Sequence, residues 1–334
     1  MITVASDEGK MSDRILVTGA AGFIGRHLIS ELVDREPEST IIATDIKSDP
    51  PEQYSAHIGT NVQYRQGDLT DEAFRETLLN EPFDRVYHLA AIVGVDQYVK
   101  NPLRITEVNV IATKAILERI KEWDVRFVFT STSEVYGKNP DVPWSESTDR
   151  VLGPLTIDRW SYSTGKSACE HMIHGLSDAD SPFSATVVRP FNLYGPGQRP
   201  KFALPAFVDR VVNGEVPTVY DEGTQTRCFT YIKDFIEGLY IASTHPAGEN
   251  EVFNLGATRE TEIRELAQLV LEVAGHDDRE PEFIDTDELY GESYEDLERR
   301  VPDASKAAEL LDWEAETSLE AGIEYVLEWG REHY

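Results

Sequence analysis

A chain of 334 residues with 40% hydrophobic and 28% charged positions is long enough for one large domain or two intimately joined ones, at roughly 150 residues per domain. No run of about 18 or more apolar residues occurs, and Met1 to Lys10 lack the apolar stretch of a secretion signal, so the expectation is a soluble, cytoplasmic protein with no membrane partner. Its 61 acidic residues against 31 basic ones give a net charge of -30, a field that repels phosphate backbones and argues against nucleic acid as a partner.

Only 10 of the basic residues are Lys, and the acid is spread along the chain rather than gathered in a tail. That is the lysine-poor surface by which halophiles stay solvated, so a high-salt cytoplasm is expected. Cys169 and Cys228 sit in no CxxC or Cys/His cluster; neither a disulfide framework nor a metal site is expected, and both read as small core residues.

Short apolar runs alternate with helical patterns from residue 14 to 130. Ile15 to Thr18 is followed by a helix from about Phe23 to Asp34, then Ile41 to Thr44, Val62 to Arg65, a helix near Glu72 to Leu79, Val86 to Ala90, a long helix from about Arg104 to Lys121, and Phe127 to Thr130. Strands apolar throughout, alternating with helices, predict an α/β fold: a Rossmann-type doubly wound parallel sheet. From about residue 190 Pro and Gly cluster, which reads as loops around a smaller C-terminal lobe. Helices are predicted at about Ile263 to Ala274, Ser305 to Leu311 and Leu319 to Arg331, and His276 to Asp303 is acidic and irregular. The expected division is a Rossmann domain over 12–185, with a returning segment at about 224–258, and a substrate-binding lobe from 186–223 and 259–334.

Gly19-Ala20-Ala21-Gly22-Phe23-Ile24-Gly25 follows the first strand and opens a helix. Glycines there allow a tight turn and close approach of a pyrophosphate to the free N–H groups of the helix start. Asp45, at the end of the second strand, would accept hydrogen bonds from a ribose 2′-hydroxyl and repel a 2′-phosphate, which predicts NAD rather than NADP, with Lys47 the one basic neighbour. Asp68, with Leu69, is placed to reach an adenine or, equally, to cap the helix that follows.

Tyr162 and Lys166 stand four apart, on one face of a helix. A nearby ammonium stabilises a phenolate and so prepares Tyr162 as a general base. Alone such a pair is more often a surface pair, but Ser131-Thr132-Ser133 just past an apolar strand would face the same crevice at the carboxyl ends of the strands.

Together these motifs resemble the extended short-chain dehydrogenase/reductases, and within them the NAD-dependent epimerase/dehydratase group acting on nucleotide sugars. The resemblance runs from about Arg14 to Trp329. It includes, in order, His88-Leu89-Ala90-Ala91, Asn101-Pro102, Asn109, Glu134-Val135-Tyr136-Gly137, Arg189-Pro190-Phe191-Asn192, Gln225-Thr226-Arg227, Asn254-Leu255-Gly256 and Arg300-Val301-Pro302-Asp303. It implies an NAD site built from Gly19, Gly22, Phe23, Ile24, Gly25, Asp45, Asp68, Leu69, Leu89, Ala90, Ala91 and Asn109 together with Tyr162 and Lys166. It implies Tyr162 as base for the sugar 4-hydroxyl, Lys166 lowering its pKa, Thr132 on the 4-oxygen, and Asn192, Arg227 and Arg300 gripping a nucleotide-diphosphate sugar. Guanidinium forks suit phosphate; the alternative for Arg300 is that the Arg299-Arg300 pair only neutralises acidic neighbours. A homodimer through the helices near 104–121 and 161–175 is also implied.

Members of the group share oxidation at sugar C4 and then diverge. The 4,6-dehydratases carry Thr-Asp-Glu, whereas this chain has Thr132-Ser133-Glu134, and Ser133 has no acid proton to give. The string Ser131 to Gly137 is similar to UDP-glucuronate decarboxylases, as are Asn101 to Arg104, Gly153-Pro154, Arg159-Trp160 and Arg227 to Thr230, which implies sugar-ring and protonation roles for Ser133 and Glu134. A 4-epimerase of UDP-glucose or UDP-glucuronate is the close alternative, and a dehydratase or an NADPH-dependent carbonyl reductase the more distant ones. Asp221, where the group has a turn glycine, and Val93-Gly94-Val95 depart from the pattern. The acidic surface makes one prediction: cooperative thermal unfolding is expected to sharpen and move to higher temperature between dilute buffer and molar KCl, and an indifferent midpoint would remove the high-salt reading.

Overall fold

A computed structural model describes residues 12–94, 101–177, 181–285 and 297–334. Six strands come first in chain order: β1 Arg14–Thr18, β2 Thr40–Asp45, β3 Val62–Gln66, β4 Arg85–His88, β5 Val125–Thr130 and β6 Phe183–Pro190. Four short ones follow, β7 Leu193–Tyr194, β8 Thr218–Tyr220, β9 Thr226–Cys228 and β10 Thr230–Tyr231, and then β11 Glu251–Leu255. Strands β1 to β6 and β11 form one seven-stranded sheet in the order β11-β6-β5-β4-β1-β2-β3, with every pairing parallel.

Strand alternation explains why helices cover both faces. Ile15, Val17, Ile41, Ala43, Tyr87 and Val128 point into one buried cluster with helices Phe23–Arg35 and Ile232–Thr244. Leu16, Ile42, Val86, Phe127 and Phe129 point into the other, with helix Ala112–Ile120 and Ile173. Neither face is left for water, so the strands read as continuous apolar runs. The order reverses at β1, whose neighbours are β2 and β4, and such a reversal opens a crevice at the carboxyl ends of the strands.

Outside the seven-stranded sheet short strands pair in twos, β7 with β10, β9 with β12 (Glu260–Glu262) and β8 with β13 (Glu282–Ile284). Helices Ala203–Val212, Ile263–Val273 and Leu319–His333 pack with them. Where the sequence suggested loops after residue 190, helix Ala203–Val212 is present. Its apolar stripe of Leu204, Phe207, Val208 and Val211 is buried, and Pro205 is tolerated because it lies in the first turn. β4 stops at His88 rather than Ala90. The long helix predicted over 104–121 begins at Pro102 and carries a π-helical turn at Glu107–Ile111 before Ala112–Ile120; such turns gather at functional sites.

Cys169 and Cys228 are buried. Asp221 has φ of 54°, a left-handed conformation in which a glycine would be unstrained. On the helices named for self-association, Ile105, Ile116 and Ile173 are buried within the chain while Leu103 and Ile111 are exposed. No helix among the described residues is long and apolar enough to cross a membrane. Val95 and residues 286–296 of the acidic stretch lie outside the described residues.

Candidate active site

At the carboxyl end of β1 the chain turns through Gly19, whose φ is 69°. A Cβ there would lie 2.8 Å from Ala90 N, and one on Gly25 would lie 2.3 Å from Gly19 O, so the loop, the Leu89-Ala90 segment and helix Phe23–Arg35 approach more closely than side chains permit. Gly22 is the N-cap of that helix and offers no side chain to its first N–H groups, which leaves them for an anion. Asp45 sits at the end of β2 with both oxygens used: Oδ2 accepts from Ala21 N at 2.9 Å and Oδ1 from Lys47 N at 3.1 Å. Lys47 Nζ in turn donates to Ala21 O at 3.0 Å. The carboxylate predicted for a ribose therefore also fixes the shape of the glycine-rich loop.

Asp68 does not cap the next helix. Asp71 does, accepting from Ala73 N at 2.9 Å, while Asp68 Oδ1 accepts from Thr70 N and Oγ1 at 2.9 and 2.7 Å and Oδ2 pairs with Arg104. Those hydrogen bonds and the Arg104 charge outweigh partial burial and hold the Asp68 carboxyl below its ordinary range. Leu69 is buried beside it. Asn109, in the π turn, accepts from Ile92 N at 2.8 Å and donates to Ile92 O at 3.0 Å, so its amide fastens the backbone that follows Leu89, Ala90 and Ala91.

Tyr162 and Lys166 lie on helix Arg159–Leu176, both buried. Lys166 Nζ donates to Thr130 O at 2.8 Å, and its ammonium stands 4.4 Å from the centre of the Phe129 ring. Burial brings its pKa down to about 8, against the opposing pull of Cys169 and Glu170. Tyr162 packs with Ile105 and Ile92. Thr132 and Ser133 are buried, and Thr132 Oγ1 caps the short turn Ser133–Tyr136 by accepting from Glu134 N at 3.2 Å.

Glu134 is the meeting point of two guanidiniums: its Oε1 lies 3.4 Å from Arg159 Nη2 and 3.5 Å from Arg300 Nη1. Arg299, by contrast, turns outward and pairs with Glu260 at 2.7 and 2.8 Å, so charge neutralisation falls to Arg299 and Arg300 is buried at the site. Two guanidiniums thus gather at one carboxylate in a strongly acidic protein. Glu134 Oε2, Arg300 Nε and Asn192 Oδ1 are buried and have no hydrogen-bond partner among the described residues, and unmet buried polar atoms cost about 1–3 kcal/mol each; they suit a polar ligand. Asn192 itself has φ of 34°. Arg227 is buried, with Nη1 donating to Thr226 O and Leu297 O at 2.7 and 2.8 Å, which ties β9 to the segment leading to Arg300.

Two residues carried by the motifs receive no role from them. Arg159 is one, although it stands three residues before Tyr162. His88 is the other. Its Nε2 faces Thr113 Oγ1 at 2.9 Å and its Nδ1 faces Thr18 Oγ1 at 2.8 Å. Thr113 gives its proton to Asn109 O, so it accepts from Nε2–H, and Nδ1 accepts from Thr18. Burial and the Lys166 charge push the imidazole down to about 3. The register that pairs Thr18 with His88 is the signal that could have found it.

A family model described as GDP-mannose 4,6 dehydratase matches residues 16–326. A UDP-N-acetyl-alpha-D-glucosaminuronate decarboxylase of Bacillus cytotoxicus is 33% identical over 325 residues, 96% of this chain and 99% of the relative. UDP-glucose 4-epimerase of Thermotoga maritima, solved with UDP-glucose, superimposes with a TM-score of 0.82 at 29% identity, covering 96% of this chain and 99% of that one. UDP-glucuronic acid 4-epimerase of Bacillus cereus, solved with UDP-glucuronic acid and NAD, gives a TM-score of 0.82 at 27% identity over 96% of this chain and 100% of that one.

The buried ammonium makes a prediction about stability. An unfolded lysine keeps its proton to about 10.4, so the unfolded chain binds the extra proton between about pH 8 and that value and stability rises with pH across the window. Lys166→Met is expected to unfold at an equal or higher urea concentration than the parent at pH 7, with the advantage closing towards pH 10; a clear loss at pH 7 contradicts the burden assigned to the ammonium.

Proposed function

The chain belongs to the NAD-dependent epimerase/dehydratase family of extended short-chain dehydrogenase/reductases, and on that premise we propose that it binds NAD, takes a UDP-sugar, oxidises the sugar at C4 and decarboxylates a C5-carboxylate substrate, a UDP-hexuronate. The observation that carries the reading is the turn Thr132-Ser133-Glu134, with Glu134 held between Arg159 and Arg300, on the side of the sheet where helix Arg159–Leu176 buries Tyr162 and Lys166.

The glycine-rich loop fits a dinucleotide: a Cβ on Gly19 or Gly22 would fill the close approach, and the helix start it opens has free N–H groups. Gly19, Gly22, Phe23, Ile24 and Gly25 would hold the diphosphate, Asp45 a ribose, Asp68 and Leu69 the adenine end, and Leu89 to Ala91 the opposite wall. NAD bound there supplies a hydride acceptor. Tyr162 takes the proton of the sugar 4-hydroxyl, Lys166 favours its phenolate, and Thr132 holds the 4-oxygen. A 4-ketone next to C5 makes a C5 carboxylate a β-keto acid: the C5–C6 bond breaks as CO2 leaves, its electron pair passes into an enolate on the 4-oxygen held at Thr132 and Tyr162, and C5 then takes up a proton. Ser133 offers no acidic proton for expelling a hydroxyl, so dehydration lacks its acid. The two guanidiniums gathered at Glu134 support an anionic sugar, and the decarboxylase name of the 33%-identical relative supports the same class. Asn192 and Arg300 are assigned to the substrate on their unmet polar atoms; Arg227 is assigned to hold the loop that carries Arg300 as well as the nucleotide. A 4-epimerase reading is supported by the two structural relatives that carry that name.

Incubation with NAD and, separately, UDP-glucuronate, UDP-N-acetylglucosaminuronate, UDP-glucose and dTDP-glucose distinguishes these readings by product mass. Loss of CO2 from a UDP-hexuronate is expected; a new isomer of unchanged mass would give the epimerase, and loss of water from dTDP-glucose the dehydratase. Tyr162→Phe is expected to lower kcat by about 10²- to 10⁴-fold while NAD still binds, and retained turnover would take Tyr162 out of the mechanism.

A further inference from the structure

Glu170 follows Tyr162 and Lys166 at the same four-residue interval on helix Arg159–Leu176, so the three share one face. It is buried, yet its carboxylate meets four donors. Oε1 accepts from Ser131 Oγ and from Arg189 Nε at 3.0 Å; Oε2 accepts from Arg189 Nη2 at 2.7 Å and from Arg150 Nη2. Arg189, on β6, then reaches past Glu170: its Nη1 donates to Tyr136 Oη at 2.8 Å and to Glu146 O at 3.0 Å. Tyr136 passes its own proton to Asn254 Oδ1 at 2.7 Å.

These bonds converge on one short piece of chain. Lys166 holds the carbonyl of Thr130, Glu170 holds the side chain of Ser131, and the arginine gripped by Glu170 holds Tyr136 at the far end of the turn Ser133–Tyr136. Between those fixed points lie Thr132, Ser133 and Glu134. Replacing such a buried ion cluster with apolar side chains is often neutral or stabilising, so stability alone does not call for it. A hydrogen-bonded clamp fixes direction as well as distance, which apolar packing does not.

We propose that Glu170 is a positioning residue for the reaction: through Ser131 and Arg189 it holds the turn carrying Thr132, Ser133 and Glu134 in register with Tyr162 and Lys166. The proposal rests on the reading of this site as the nucleotide-sugar active site. It also ties the pH response to the clamp. The titratable groups facing Lys166 are Tyr162, Cys169 and Glu170 on its own helix and His88 on β4; of these Cys169 and then the Glu170 carboxylate favour the ammonium.

The test compares Ser131→Ala and Glu170→Gln with wild type, using NAD and the UDP-sugar turned over. Ser131→Ala breaks one bond of the clamp and leaves both arginines on Glu170. It is expected to lose about tenfold in kcat with KM within about twofold and an unfolding midpoint close to the parent. Glu170→Gln keeps the shape and removes the charge; it is expected to lose more in kcat, and the alkaline limb of its pH profile moves to lower pH because the ammonium is given up sooner. Wild-type kcat in Ser131→Ala overturns the proposal, and so does a Glu170→Gln defect that disappears on correction for folded fraction with an unmoved alkaline limb. If Glu170→Gln does not fold, Ser131→Ala decides alone. Tyr162→Phe run alongside separates the two levels: undiminished turnover there overturns the reading of the site, whereas an inactive Tyr162→Phe beside a fully active Ser131→Ala overturns the clamp only.

Discussion

A sheet that is apolar on both faces has no room for polar chemistry except at the ends of its strands. The glycine-rich turn and the Tyr162 side of the candidate site follow from that constraint. Thr18, Asp45, His88 and Thr130 are the last residues of β1, β2, β4 and β5, and the glycine-rich turn, the Asp45 carboxylate, the Ser131–Glu134 segment and the Lys166 ammonium all gather on that edge. The strand order reverses there as well, so the edge is a crevice rather than a ridge.

Cations gather at the crevice of a chain that is strongly acidic overall. The chain as a whole carries a net charge of -30, yet Arg159 and Arg300 both reach the Glu134 carboxylate and Lys166 brings a further cation under the same turn. A cluster of guanidiniums inside a strongly acidic chain gains selectivity from its surroundings, because long-range repulsion holds bulk anions off while short-range forks reward one that fits. The high-salt expectation bears on the first of these effects, since screening shortens its reach and leaves buried pairs nearly untouched.

Much of this was legible in the chain because it depends on neighbours in sequence. The Rossmann strands and Gly19–Gly25 announce themselves by period and spacing, Asp45 by its distance from the loop, and Tyr162 with Lys166 by a four-residue interval. What was not legible depends on partners far away in the chain. Asp68 reads equally as cap or ligand until Asp71 takes the cap and Arg104 takes Asp68. Helix Ala203–Val212 hides behind the Pro and Gly that flank it. Arg159 and Glu170 look like ordinary charges on a helix until Glu134, Arg150 and Arg189 arrive from other segments, and the π turn at Asn109 has no pattern of its own because it is set by the backbone of Ile92.

His88 shows what a central imidazole becomes when both nitrogens are committed. With Thr18 on one side and Thr113 on the other, and with burial beside an ammonium keeping it neutral down to about pH 3, it changes neither charge nor tautomer across the range in which proteins work. It serves as a strut between β1 and the helix behind the crevice. The molecule thus carries histidine at its heart without the acid sensitivity that histidine usually brings, and mild acidification leaves the inner frame of the crevice as it was.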